Sequence, residues 1–132
     1  MDARLAIIID DEPDVATYLA IVLRDHGWEA MTANSAADGL RLAEEHVPDV
    51  VLLDVMMPER GGMSTLVALR KHPVLKDVPV VLVTGIQSHL TEDFEAYLKR
   101  FKHFHPDGYL EKPVEPAVLV ETLDKVTLAP VS

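Results

Sequence analysis

Cysteine is missing from all 132 residues of this chain. Its absence excludes disulfides and any Cys-ligated zinc or iron site, and leans toward a reducing compartment. Basic residues are scarce, 12 Lys and Arg against 22 Asp and Glu, for a formal net charge of -10. The resulting field repels nucleic acid and anionic membrane surfaces, so direct binding to either is not expected. The main basic cluster, Lys99, Arg100 and Lys102, is too short and too mixed with histidines and aromatics to resemble a groove-reading helix. Long apolar runs are lacking too. The first, Leu5 to Ile9, is too short for a signal-peptide core and far too short to span a bilayer. The expectation is a soluble, cytoplasmic protein. Repeats and low-complexity tracts are absent as well, and the length suits one domain that needs no staple to fold.

What the chain does have is short apolar runs alternating with segments of helical period. That alternation is expected of βα units around a parallel sheet. Five units are read. The first strand, Arg4 to Ile9, is apolar enough to be buried on both faces. Its helix starts at Pro13, where a missing N–H costs nothing, carries Val15, Leu19 and Val22 inward, and ends near Gly27. Trp28 to Ala33 is the second strand. Ser35 and Asp38 then open a helix with Leu40, Ala43 and Val47 on its inner stripe, closed by Pro48. Val50 to Asp54 is followed by a turn through Met57, Pro58 and Gly61-Gly62 and a helix with Met63, Leu66 and Leu69 inward. Val80 to Thr84 is the fourth strand. Thr91, with Glu92 and Asp93, opens a helix bearing Phe94, Tyr97, Leu98 and Phe101. A short strand at Gly108 to Leu110 and a helix from Pro116 with Leu119, Leu123 and Val126 complete residues 1–128, leaving 129–132 as a loose tail.

Four of the apolar runs stop on, or just before, a polar residue suited to phosphoryl chemistry: Asp10 and Asp11, Asp54, Thr84 and Lys112. Neighbouring parallel strands would bring these together at their carboxyl ends, where open α/β sheets place their ligands. Three crowded carboxylates repel one another by roughly 3 kcal/mol per pair at about 5 Å. A divalent cation relieves this, and an all-oxygen set suits Mg²⁺ or Mn²⁺ better than zinc. Asp54, ending the central strand, is the candidate nucleophile, with Lys112 and Thr84 placed to meet phosphoryl oxygens. Taken singly, each has a plainer role. Asp-Asp-Glu before Pro also reads as a helix-start acidic cluster, and a strand-end Thr or a Lys before Pro as a solvated loop residue. His26, His46 and His72 sit near helix C-termini, where His favours the dipole, and His103 and His105 read as loop residues.

These residues make the chain resemble, over nearly its whole length, the receiver domain of two-component response regulators. The likeness is carried by Ile-Ile-Ile-Asp-Asp-Glu-Pro at 7–13, Val-Val-Leu-Leu-Asp-Val-Met-Met-Pro at 50–58 with Gly62, Val-Leu-Val-Thr-Gly at 81–85 and Gly-Tyr-Leu-Glu-Lys-Pro at 108–113. The resemblance implies a flavodoxin-like, doubly wound α/β fold with parallel strand order 2-1-3-4-5 and five helices. It implies that Asp54 takes a phosphoryl group from a sensor histidine kinase or phosphotransfer protein. Mg²⁺ would be ligated by Asp11, Asp54 and the backbone carbonyl of Met56, with Asp10 acting mostly through water. Thr84 and Tyr109 hold the switch positions, and the Lys112-Pro113 bond is expected to be cis.

By family geometry Met56 and Ile86 flank the phosphoryl group, and both are too apolar to orient an attacking water. Slow self-dephosphorylation is therefore expected, not turnover catalysis. The signal would pass to an unknown effector through the face of the Thr91 helix, the fifth strand and the last helix. A phosphorylation-dependent homodimer stays open. Two features depart from the family: the Thr84 to Lys112 stretch is longer by about a turn and a half of helix, and Phe104-His105-Pro106 replaces the common Gly-Ala. The rival readings are a haloacid-dehalogenase-like phosphatase, a flavodoxin-like cofactor binder and a receiver-like scaffold that is never phosphorylated. The first would need a second Asp where Met56 stands. The second would need hydroxyls and N–H groups where Asp10-Asp11-Glu12 stands, and the third predicts losses among the acidic or Lys positions, where none is lost.

Overall fold

The computed structural model describes residues 3–55, 62–85 and 106–127. Five strands, β1 (Leu5–Ile9), β2 (Glu29–Ala33), β3 (Val50–Asp54), β4 (Val80–Thr84) and β5 (Gly108–Glu111), form one sheet in the order β2-β1-β3-β4-β5. All four pairings are parallel. Four helices are described: α1 (Pro13–Asp25), α2 (Ala36–His46), α3 (Gly62–Lys71) and α4 (Pro116–Thr127). The expected Thr91 helix, Met56, Ile86, the Met57 to Gly61 turn, His103, His105 and the tail lie outside the described residues.

The period-2 alternation of strand side chains sorts the core into two layers. Ala6 and Ile8 of β1 join Leu52 of β3 and Val81 and Val83 of β4 beneath α1 and α4. Ile7 and Ile9 join Leu53, Val80 and Leu82 beneath α2 and α3. Strands covered on both faces must be apolar throughout, which is why β1, β3 and β4 read as unbroken hydrophobic runs.

Pro13 begins α1 as expected, and the Ser35 hydroxyl caps α2 by accepting the Asp38 N–H at 3.1 Å. Gly39 lies so close to β1 that a Cβ there would collide with the Ile9 side chain, so α2 needs glycine at this position. Val47 corrects the expected inner stripe of α2. It is the C-cap, left-handed at φ 39°, and its side chain is exposed. An apolar pattern does not register where the chain turns over.

Two aspartates pin the amino edge of the sheet. Asp49, just before β3, accepts the Leu5 N–H at 2.7 Å. Asp107, just before β5, accepts the Val80 N–H at 2.8 Å and pairs with Arg70 of α3 at 2.7 Å. Each carboxylate thereby satisfies a strand-end donor that the ladder leaves free. Arg4 adds a third tie, reaching Asp124 at 2.7 Å and Thr127 at 2.9 Å on α4 while lying 4.3 Å over the Trp28 ring.

Candidate functional site

Register alone assembles the opposite edge. Ile9 lies beside Leu53, so Asp10, the next residue, comes beside Asp54. Asp54 lies beside Val83, one residue short of Thr84, and Thr84 lies beside Glu111, one residue short of Lys112. The Lys112 N–H donates to the Thr84 carbonyl at 2.7 Å, fixing the chain where β5 ends. The Lys112-Pro113 peptide is cis. Beyond it the Tyr18 hydroxyl of α1 donates to the Val114 carbonyl at 3.0 Å.

Asp10 and Asp54 are 1% and 2% exposed, unusual for carboxylates and costly without compensation. Asp10 is held by its own backbone: Oδ1 accepts the Glu12 N–H at 2.9 Å, its N–H donates to Ala33, and its carbonyl accepts from the Asn34 amide at 3.1 Å. Lys112 supplies the countercharge. Its Nζ stands 3.1 Å from Asp10 Oδ2, 3.2 Å from Glu12 Oε1 and 3.6 Å from Asp54 Oδ2. The approach to Asp10 Oδ2 has ion-pair distance but misses hydrogen-bond direction, so that buried oxygen accepts no hydrogen bond. Burial works to lower the pKa of the ammonium. Contact with Asp10, the charges of Asp54 and Asp10, and contact with Glu12 outweigh it and hold the pKa above the ordinary lysine range. Lys112 is therefore charged at neutral pH.

Among the described residues, the carboxylates of Asp10, Glu12 and Asp54 each offer an oxygen within 4.8 Å of the others. Asp11, expected beside Asp10 and Asp54, is half-buried in the bend after β1 and is not in this group. Glu12 is the third member of the group. Its role was not legible because, in sequence, it is simply the residue before a helix-opening proline, and its partner is 100 residues away. Thr84 is half-buried at the end of β4, and its hydroxyl donates to the Leu110 carbonyl at 3.4 Å. Tyr109 on β5 is half exposed, and partial burial raises its phenol pKa.

The Response regulator receiver domain family model matches residues 6–124. The chain belongs to this family. The receiver is 33% identical over 120 residues to Protein PilH of Pseudomonas aeruginosa, covering 91% of this chain and 94% of that one. It is 30% identical to a solved putative response regulator from Chloroflexus aurantiacus, with a TM-score of 0.80 over 96% of this chain and 98% of that one. The chemotaxis response regulator CheY4 of Vibrio cholerae superposes with a TM-score of 0.81 at 26% identity, covering 95% and 99% of the two chains. Receivers are phosphorylation-dependent signalling switches of two-component and phosphorelay systems, and they work with histidine kinases or phosphotransfer proteins. No helix among the described residues is long and apolar enough to cross a membrane.

The acidic pocket suits the divalent cation that receivers bind. Its donors are all oxygen, and the buried Asp10 Oδ2, which the Lys112 ammonium approaches at 3.1 Å, is of the type a hard cation takes.

Proposed function

We propose that Asp54 is the phosphoacceptor of this receiver, taking its phosphoryl group from a phosphohistidine on a sensor kinase or phosphotransfer protein. A carboxylate oxygen of Asp54 forms the new O–P bond as the P–N bond of the donor breaks, and the leaving imidazole takes up a proton. The observation that carries this reading is the convergence of a buried Asp54, a buried Asp10 and a charged Lys112 at one sheet edge. A Mg²⁺ or Mn²⁺ ion held by Asp10, Asp11, Asp54 and the Met56 carbonyl would neutralise the oxygens of the group in flight. Asp11 reaches that role by turning its carboxylate in from the bend after β1. Lys112 pairs with one phosphoryl oxygen and the Thr84 hydroxyl leaves the Leu110 carbonyl for another. Tyr109, half exposed on the neighbouring strand, then reports the change to the β5 and α4 side, where an effector or a second copy would bind.

Incubation with acetyl phosphate and Mg²⁺ should add a single phosphoryl group, detected as one mass increment labile to hydroxylamine. Asp54→Ala should abolish it, lowering incorporation by about three orders of magnitude or more. Continued release of phosphate from phosphomonoesters would instead favour a turnover phosphatase. Met56 and Ile86, apolar residues at the positions that flank the phosphoryl group by family geometry, should make that group long-lived. Its decay should be about tenfold slower than in a Met56→Asn, Ile86→Glu double variant, a difference near 1.4 kcal/mol in barrier. Equal or faster decay in the wild type would remove the water-exclusion argument.

A further inference from the structure

Glu12 is the N-cap of α1, a position that favours Ser, Thr, Asp and Asn because a short side chain reaches the free N–H groups of the first turn. Its side chain makes no cap hydrogen bond. It turns instead across the sheet edge, to within 3.2 Å of Lys112 Nζ. The other two partners of that ammonium, Asp10 and Asp54, are buried, whereas the Glu12 side chain is 62% exposed. Lys112 is thus shared among two buried carboxylates and one solvent-facing carboxylate, whose oxygens lie within 4.8 Å of one another.

An ammonium and a divalent cation compete for the same buried oxygens, since both neutralise Asp10 and Asp54 and each repels the other. How far Lys112 leans toward Glu12 sets how strongly it competes. We propose that Glu12 is a positioning residue that acts through Lys112, taking a share of the ammonium that would otherwise fall wholly on Asp10 and Asp54 and so easing its displacement by the cation. The inference rests on the reading that this pocket takes Mg²⁺. Without the Glu12 charge, Lys112 keeps only its buried partners and settles on them, and an entering cation must displace it. A different mechanism would have Glu12 attract the cation directly. The two separate cleanly, because only the first depends on Lys112.

The test is a double-mutant cycle on Mn²⁺ affinity, read by electron paramagnetic resonance of the free ion with no phosphodonor present. Glu12→Gln should weaken Mn²⁺ binding about three- to fivefold when Lys112 is present, the range a partly exposed ion pair supplies. In a Lys112→Met background the same substitution should weaken it by less than about twofold. Glu12→Asp, which keeps the charge but shortens the reach by one methylene, should share the loss seen with Gln. An equal loss in both backgrounds, no loss, tighter binding, or full affinity in Glu12→Asp would overturn the inference while leaving the cation reading intact. Failure of the wild type to bind Mn²⁺ would overturn the cation reading and this inference together.

Discussion

The two edges of the sheet are both rich in charge, yet they treat it in opposite ways. At the amino edge three acids each have a close partner: Asp124 has Arg4, Asp107 has Arg70 and the Val80 N–H, and Asp49 has the Leu5 N–H, all at 2.7 or 2.8 Å. At the carboxyl edge one ammonium serves three carboxylates at 3.1, 3.2 and 3.6 Å, so that group carries a formal charge of about -2. Balanced pairs hold strands in place and ask for nothing further. An unbalanced group costs stability that a bound cation would return, and such a deficit would be the source of its affinity. The structural and the functional ends of the fold therefore differ in charge balance more than in residue type.

If the difference is real, cation binding should stabilise the protein through the carboxyl edge alone. Saturation with Mg²⁺ at about 100 times its Kd should raise the unfolding free energy by about 2.7 kcal/mol, measured by urea denaturation. That gain should disappear in Asp54→Ala. A smaller loss is expected from breaking the opposite edge. Asp107→Ala leaves the Val80 N–H without its acceptor and takes the countercharge from Arg70, which keeps the Val78 carbonyl at 2.8 Å, and should cost about 2 kcal/mol in the same assay with Mg²⁺ affinity unchanged. The smallest effect has the reverse sign. Asp54→Asn removes one charge from an overcrowded group and should stabilise the cation-free protein by about 1 kcal/mol, a rise of about 3–5 °C in Tm by calorimetry. A loss of stability in Asp54→Asn would mean that Lys112 already balances the pocket, and the contrast between the edges would collapse.

Much of the working edge was legible from local pattern. Asp54 and Thr84 end apolar runs, and Asp10 follows one, so period and composition placed them before any contact was known. The helix starts at Pro13, Ser35 and Pro116 carried their own chemistry. Partners far along the chain were not legible. Asp107 carries no local signal, yet it is a clamp between α3, β4 and β5. His72 reads as a helix-end histidine, yet its Nδ1 accepts the Val74 and Leu75 N–H groups at 3.1 and 3.3 Å while Nε2 faces Glu44 at 3.2 Å. Glu12 reads as part of a helix-start cluster, and only its distance to Lys112 gives it a partner.

By itself, then, the sequence determined which residues end each strand, because burial on two faces demands unbroken apolar runs and polar residues must wait at their ends. It thereby set the groups available at the strand ends: carboxylates, a lysine and a hydroxyl. Which strand lies beside which, how many carboxylates one ammonium must serve, and which acid stands inside the pocket were decided by tertiary structure. Those properties depend on register and on distances of a few ångströms between residues as much as 100 positions apart. Local propensity does not encode such separations; the packing of the whole sheet does.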